Sequence, residues 1–420
     1  MLCSLGAACT TIPAQPPSAL AARSIAQLPA RQAVTTAHPL ATRAALDILE
    51  LGGSATDAVI AAQMVLGLVE PQSSGIGGGA LVLLWDAAKA SLTSFDGLAA
   101  APARTTDALT IDVDGSTLKG ADVRRGGRAV GVPGTLAVLK MIHETYGKLP
   151  WATLFVSAID LAERGFPMPR YLHSVLSTPG AAADHPDMLP YYFGTDGKVR
   201  PVGSSITNPA YASTLRRIAA QGAAGLWRDG AGAALVAAAQ RGARPSLMTE
   251  DDLAAYRALQ RDPLCAPFLE YSVCVMAPPS FGGVVVLQLL QMLEARIASA
   301  NKRFDFDDAD FVHYFAEAGR FAQADRRHYV GDPGLAAVPA RALVAPGYVR
   351  ERALQIDRSQ RRKDVAPGVV AADAGGQNES APGAASADAT SQMAIADRAG
   401  NLVSMTTTIN LNFGSRLTRL

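Results

Sequence analysis

The segment that follows Ser54 is apolar on nearly every side of a helix, and it constrains the fold more than any other part of the sequence. Ser54 and Asp57 match the capping-box pattern, in which two side chains close the first turn of a helix. The turns that follow are built largely from apolar residues: Ala58, Val59, Ile60, Ala61, Ala62, Met64, Val65 and Leu66. Because a helix with no polar face must be buried, we expect it to pack against a sheet.

A glycine-rich loop, VEPQSSGIGGG at residues 69–79, joins this helix to a predicted strand at residues 80–85. Gly75, Gly77 and Ala80 fit the spacing of a dinucleotide-binding fingerprint, but that motif follows a strand and precedes a helix. Here the order is reversed, so the sequence argues against nucleotide binding. The glycines instead predict a close backbone crossing near a site.

Two further strands are predicted near the end of the sequence, at residues 390–396 and 402–409. They follow residues 364–389, of which 17 of 26 are Ala, Gly, Pro or Ser, a composition typical of a flexible linker. Cleavage between Ala389 and Thr390 would leave Thr390 with a free α-amine of pKa roughly 7.7 to 8.0, suited to act as base for its own hydroxyl. A linker that merely joins two parts is the alternative, and the pattern alone does not separate the two.

Several residues of this region recur at the fixed offsets of a known family: Thr390-Ser391, Asp397, Gly400-Asn401, Thr406-Thr407-Thr408, Asn410 and Phe413-Gly414-Ser415. They resemble the start of the small subunit of the γ-glutamyltransferase family, whose members are N-terminal-nucleophile hydrolases. The glycine-rich loop and the segments AVGVPGTLA and HETYGKLPW, at residues 129–137 and 143–151, resemble its large subunit. The resemblance extends over about residues 34–415.

The resemblance implies an α+β fold, the four-layer αββα sandwich, with Thr390 at the start of a central strand. It divides the chain into residues 34–363, large-subunit-like; 364–389, a flexible linker before the cleavage site; and 390–420, the start of a small subunit. The last part has only 31 residues, whereas the family's small subunit is much longer. We therefore expect the sandwich to be incomplete at the C-terminus. Either a separate polypeptide completes it, or the chain is inactive.

The resemblance also implies a mechanism. Thr390 would first attack the carbonyl of Ala389 to cleave the chain, and would then attack a γ-glutamyl amide to form an acyl-enzyme that water or an amine resolves. Thr408 matches the family's second threonine, which hydrogen-bonds the nucleophile, and Asn410 matches a substrate-contacting position. The implied substrate is a small, glutathione-like γ-glutamyl amide or a related amide. No metal and no organic cofactor is expected.

One position departs from the family. Leu98 and Ala99 stand where the family usually carries an Arg-Glu pair, whose Arg binds the α-carboxylate of the substrate. Leu cannot replace a bidentate guanidinium contact, and its loss should cost a few kcal/mol of binding. Three interpretations therefore stay open: a γ-glutamyl transferase or hydrolase, a related acylase acting on another amide, and a catalytically inactive fragment or binding protein.

The charge and the cysteines exclude several classes of protein. With 38 basic and 37 acidic residues among 420, the chain has no electrostatic footprint for nucleic acid or an anionic membrane. No apolar run approaches the roughly 18 residues of a transmembrane span. The four cysteines lack metal-ligand spacing. Cys265 and Cys274 flank a predicted strand pair and could form a disulfide or remain two buried thiols.

The N-terminal residues 1–33 are interpreted as the remnant of an export signal or as a disordered N-terminus. Residues 1–9, MLCSLGAAC, are small and apolar, and Cys9 could carry a lipid anchor. The first interpretation predicts a periplasmic or secreted protein. On the helix predicted at residues 311–329, Glu317, Arg320, Asp325 and Arg326 are interpreted as surface ion pairs.

Overall fold

The computed structural model describes residues 32–112, 114–118, 123–124, 126–178, 188–241, 244–300, 305–370 and 388–417. Its strands are β1 (Ala33–Thr35), β2 (Gly79–Asp86), β3 (Ser91–Gly97), β4 (Phe166–Pro167), β5 (Ser205–Ile206), β6 (Leu259–Arg261), β7 (Leu264–Phe268), β8 (Tyr271–Val275), β9 (Asp388–Ala396) and β10 (Leu402–Leu411). Residues 1–31 of the predicted N-terminal segment and residues 371–387 of the predicted linker lie outside the described ranges.

The helices of the described residues are α1 (Pro39–Glu50), α2 (Ala55–Val69), α3 (Thr135–Tyr146), α4 (Val156–Arg164), α5 (Arg170–Leu176), α6 (Leu189–Tyr192), α7 (Pro209–Gln221), α8 (Ala231–Ala239), α9 (Glu250–Ala255), α10 (Phe281–Ser299), α11 (Ala309–Tyr329), α12 (Ala340–Leu343) and α13 (Pro346–Leu354). Short 3-10 helices are Asp107–Thr110, Gly127–Ala129, Trp151–Phe155 and Gly222–Leu226.

Six strands form one antiparallel sheet in the order β1-β9-β10-β2-β3-β6. The register of β9 and β10 pairs Thr390 with Thr408, and the register of β10 and β2 pairs Thr408 with Gly79. The predicted strands after the linker are therefore neighbours in the interior of the sheet. Strand β9 begins at Asp388, so the bond between Ala389 and Thr390 lies within the strand rather than before it.

The buried helix expected after Ser54 is α2, and it packs against β9 and β10. All of its residues except Gly67 are buried, and the predicted capping box is confirmed: Ser54 N donates to Asp57 Oδ2 at 2.8 Å, and Asp57 N donates to Ser54 Oγ at 3.2 Å. Ala55 N donates to the buried carboxylate of Asp397 at 3.1 Å. The turn between β9 and β10 is thereby fixed to the positive end of the α2 dipole.

The sheet has one helix-covered face and one open face. Strands β9 and β10 alternate, so that Met393 and Met405 are buried under α2 while Thr390 and Gln392 are exposed on the opposite side. Helices α2 and α3 contact the covered face. The fold is thus α+β as expected, and a helical layer on the large sheet provides two adjacent layers of the αββα arrangement.

Helices α10, α11 and α13 pack together beside the β7–β8 hairpin and form further core clusters. Cys265 and Cys274 are directly opposed in this hairpin and form a disulfide, which decides between the two states that the sequence left open. By length and composition α10 could cross a membrane, with a mean hydropathy of 1.4. The core helix of a soluble protein passes the same test, and α10 contacts α11, α13 and β7.

Two of the acidic residues of α11 are buried, so their placement on the surface was wrong, although Glu317 does pair with Arg320 at 2.6 Å. Glu317 is 2% exposed and Asp325 is wholly buried. Asp325 Oδ1 lies 2.9 Å from the Arg352 guanidinium, and Asp325 Oδ2 accepts from Tyr348 Oη at 2.7 Å. Tyr348 and Arg352 lie on α13, and Gln288 on α10 also donates to Asp325 Oδ2, at 3.0 Å. These partners lie outside α11, which is why the pattern of α11 alone could not reveal the burial of Asp325.

The first residues of the predicted linker, 364–370, lie along α11. Gly368 N donates to Asp325 Oδ1 at 2.9 Å, and Tyr329 Oη donates to Gly368 O at 2.6 Å. Arg352 donates to Ala366 O at 2.8 Å, and Val370 is 7% exposed. This part of the linker is therefore packed on the fold and held by a buried ion pair.

The disulfide gives a first testable prediction. Denatured protein without reductant should take up two fewer alkyl groups than reduced protein, because Cys265 and Cys274 are paired. Reduction should lower the free energy of unfolding by about 2 to 3 kcal/mol, the loop-entropy value for so short a loop. Urea denaturation measures this, with Cys265→Ser/Cys274→Ser, which should not respond to reductant, as the control. Equal alkyl uptake in both states would contradict the pairing.

Candidate active site

The hydroxyl of Thr408 connects Thr390 to the peptide bond that precedes it. Thr390 Oγ1 donates to Thr408 Oγ1 at 3.1 Å, and Thr408 Oγ1 in turn donates to the carbonyl oxygen of Ala389 at 2.8 Å. A hydroxyl has one proton and two lone pairs, so Thr408 can accept from Thr390 and donate to Ala389 at the same time. The chain of hydrogen bonds thus runs from the hydroxyl of Thr390 to the carbonyl that this hydroxyl would attack.

Asn410 completes the partners of Thr408, through its backbone. Asn410 N donates to Thr408 Oγ1 at 2.9 Å, which occupies the second lone pair of that hydroxyl. This contact needs a local distortion: the β9–β10 register shifts between Thr408 and Leu411, and Asn410 has a left-handed φ of 74°. Asn is one of the few residues other than Gly that adopts this conformation readily. Asn410 itself is exposed.

The glycine-rich loop crosses the end of β10 at Thr408. A Cβ on Gly78 would clash with the carbonyl oxygen of Thr408 and with the side chain of Ile409, so only Gly fits this approach. Gly134 N and Thr135 N both donate to Gly78 O, at 2.9 and 3.2 Å, and fix the loop to the start of α3. The close backbone crossing predicted from the glycines is confirmed, although Gly78 makes it and Gly77 stands in open space.

Two buried polar residues of this loop are functional candidates that the sequence analysis did not single out. Glu70 is 5% exposed, and burial raises its pKa to about 7, against a small opposing effect from the Gln72 hydrogen bond. Gln72 is wholly buried, and its Nε2 donates to Glu70 Oε2. Burial of a carboxyl group within an otherwise apolar helix end cannot be read from local pattern, so the sequence carried no direct signal for this pair.

Gln392 is a third residue that the sequence analysis did not assign. It lies on the open face two positions after Thr390, and its amide bonds Ser404 Oγ at 2.9 Å and Thr406 Oγ1 at 2.5 Å. Strand alternation predicts that residues 390, 392 and 394 share a face, and this would have been the signal to use.

Leu98 lies in the same sheet region as this site, at the end of β3. Gly79, the register partner of Thr408, approaches so closely that a Cβ there would lie 2.8 Å from Leu98 Cα. Tyr256 Oη donates to Leu98 O at 2.6 Å and fixes its backbone. Leu98 lies about three strand spacings from Thr390, roughly 14 Å. Arg104 is exposed.

Of the predicted site residues, the structure brings together Ala389, Thr390, Thr408 and Asn410.

The described residues offer no group of three or more His, Cys, Asp and Glu side chains arranged to hold a metal ion. The chemistry that the site itself can provide is that of a hydroxyl nucleophile, activated through a second hydroxyl and directed at a carbonyl.

Comparison with known proteins gives consistent results. Residues 41–419 match the sequence model of the family described as gamma-glutamyltranspeptidase. The chain is 31% identical over 391 residues to the glutathione hydrolase proenzyme of Bacillus subtilis (strain 168), covering 91% of this chain and 65% of that protein. It is 34% identical to the acylase ACY 1 proenzyme of Pseudomonas sp. (strain SE83), covering 92% of this chain and 66% of that protein. The chain thus spans slightly less than two thirds of these relatives.

Solved structures agree. The γ-glutamyltranspeptidase of Helicobacter pylori superposes with a TM-score of 0.74 at 28% identity, over 80% of this chain and 95% of that chain. The cephalosporin acylase of Bacillus halodurans superposes with a TM-score of 0.77 at 27% identity, over 92% of this chain and 67% of that chain. Because the family's sequence model matches most of this chain, the chain belongs to the γ-glutamyltranspeptidase family.

Proposed function

We propose that this chain carries the nucleophile of a γ-glutamyl transferase or hydrolase, that Thr390 is that nucleophile, and that it is released by self-cleavage after Ala389. The single observation that carries the proposal is the hydrogen-bond chain from Thr390 Oγ1 through Thr408 Oγ1 to the carbonyl oxygen of Ala389. It joins the attacking group to the bond under attack.

Self-cleavage would proceed as an acyl shift from nitrogen to oxygen. Thr390 Oγ1 forms a bond to the carbonyl carbon of Ala389, the bond from that carbon to Thr390 N breaks, and the hydroxyl proton ends on the released amine. The Thr408 hydroxyl, which donates to the carbonyl oxygen, stabilises the negative charge that develops there. Water then hydrolyses the ester, which leaves a carboxylate on Ala389 and a free amine and hydroxyl on Thr390.

The same groups would serve the second reaction. The α-amine of Thr390 takes the proton from its own hydroxyl, which attacks the amide of the donor and expels the amine product. Water or an acceptor amine then resolves the acyl-enzyme, giving hydrolysis or transfer. Glutathione is the donor that the names of the glutathione hydrolase relatives suggest. The side chain of Asn410, an exposed residue, would contact the acyl group beside Thr390.

The open face of the sheet supports the proposal of a partner polypeptide. Ala33, Thr35, Ala394 and Ser404 are exposed there, although β9 and β10 are interior strands of the sheet. In a four-layer αββα fold, the sheet face that helices do not cover packs against the second sheet. We infer that a further polypeptide segment, corresponding to the rest of the small subunit, covers this face and completes the site.

A second candidate function is an acylase acting on an amide without a γ-glutamyl group. The observation that favours it is Leu98, because a leucine at the position where the family usually carries an arginine supplies no charge for an α-carboxylate. The 34% identity to an acylase proenzyme is compatible with it. For location we propose the periplasm or the exterior of the cell, because disulfides such as Cys265–Cys274 form and persist in oxidising compartments.

Intact mass tests the nucleophile directly. After incubation at neutral pH, the chain should split into fragments of residues 1–389 and 390–420, while Thr390→Ala stays whole because it lacks the attacking hydroxyl. Mass spectrometry of the two proteins measures this. The proposal would be overturned if both the wild type and Thr390→Ala kept their full-length mass, including after addition of a polypeptide that covers the open face.

Removal of the Thr408 hydroxyl tests the hydrogen-bond chain. Thr408→Val should slow the cleavage by about a hundredfold, the usual cost of losing one donor to a developing oxyanion. Thr406→Val is the matched control, because its hydroxyl lies on the same strand face but bonds Gln392 and not Ala389. Cleavage rates come from the time course of fragment appearance. Equal rates for Thr408→Val and wild type would exclude the role of this hydroxyl.

Introduction of an arginine at Leu98 separates the two candidate functions. In the processed, assembled protein, Leu98→Arg should raise kcat/KM for a γ-glutamyl anilide, relative to a butyryl anilide that has no carboxylate, by about tenfold or more. Ala99→Arg, at the exposed neighbouring position, serves as the control. The argument for the acylase would fail if the wild type hydrolysed the γ-glutamyl anilide efficiently and Leu98→Arg left this kcat/KM unchanged.

A further inference from the structure

The turn that follows Asn410 is held by the glycine-rich loop through one backbone contact. Phe413 N donates to Gln72 O at 3.2 Å, and Phe413 itself is 5% exposed. Gly414 N donates to Leu411 O at 2.8 Å and closes the turn. Whatever fixes Gln72 therefore also fixes the position of the turn relative to the sheet.

Gln72 is fixed by Glu70. The Gln72 amide Nε2 donates to Glu70 Oε2, and among the described residues its Oε1 has no hydrogen-bond partner. Glu70 is anchored in turn at the end of α2: its N donates to Leu66 O at 2.8 Å, and its O accepts from Ser73 N at 2.9 Å. The two side chains thus link the end of the buried helix to the turn beyond Asn410.

The turn depends on such support because its backbone is unfavourable on its own. Phe413 has a φ of 59°, in the left-handed region that bulky L-residues avoid, and Asn410, which tolerates this region better, has a φ of 74°. Residues held in this region persist only where the surrounding contacts determine them. Release of Phe413 from Gln72 would let the turn relax, and Asn410 N would then leave Thr408 Oγ1.

We propose that Glu70 is a positioning residue for the Thr408 hydroxyl. By holding Gln72, Glu70 keeps the turn through Phe413 in the conformation that directs Asn410 N–H at Thr408 Oγ1. With that lone pair occupied, the proton of Thr408 points at Ala389 O and its other lone pair receives Thr390. Only the last step, in which Thr408 assists Thr390, rests on the proposed function.

Hydrogen exchange of the full chain tests the positioning without any need for cleavage. In a Thr390→Ala background, which keeps the chain whole, Glu70→Ala should raise the exchange rate of a peptide spanning residues 408–414 by about tenfold, because Gln72 loses its partner. Glu70→Gln should restore protection, because its amide oxygen still accepts from Gln72 Nε2. Ser54→Ala, at the opposite end of α2, is the control and should leave this peptide protected.

Unchanged exchange in Glu70→Ala would overturn the positioning role, as would equal loss of protection in Glu70→Gln. The rate of self-cleavage in chains that retain Thr390 is the second readout, at a temperature where all variants are folded. Glu70→Ala should cleave about tenfold more slowly than wild type, and Glu70→Gln should recover the rate. If wild type itself does not cleave, the proposed function fails while the exchange result still decides the role of Glu70.

Discussion

The burial of α2 against β9 and β10 is the constraint on which the rest of the structure depends. A helix with no polar face has one stable location, the interior, and its two ends then determine what surrounds the site. Its first turn binds Asp397 between the strands, and its last residues lead into the loop that crosses Thr408. Both ends of the β9–β10 pair are therefore positioned by one helix.

This arrangement explains why a surface threonine can have a defined hydrogen-bond geometry. Thr390 is exposed, yet its partner Thr408 is fixed by strand register on one side and by the Asn410 turn on the other. Rigid elements hold such constellations more tightly than loops do, and the tolerance for productive geometry is small. The defined geometry of the site thus depends on contacts made on the covered face of the sheet.

The sequence was informative where the cause is local. The Ser54–Asp57 capping box spans four residues, and the alternation and turn residues after the linker were enough to predict β9 and β10. Contacts between distant segments could not be predicted from the sequence. Asp325 pairs with Arg352 of another helix, and Gln72 O accepts from Phe413 N of a distant turn. The local sequence around Asp325 or Gln72 does not include these partners. The Cys265–Cys274 pairing became decidable only once the hairpin register placed them opposite each other.

Because Asp325 and Tyr329 hold Gly368, the chain end that the proposed cleavage would release at Ala389 stays tethered to the protein. Between Val370 and the cleavage site lie 19 residues, which can span at most about 65 Å. The carboxylate released on Ala389 would remain attached to the protein and close to Thr390, at an effective concentration on the order of millimolar. The enzyme would carry its own first product as a tethered competitor, which a donor amide must outbind.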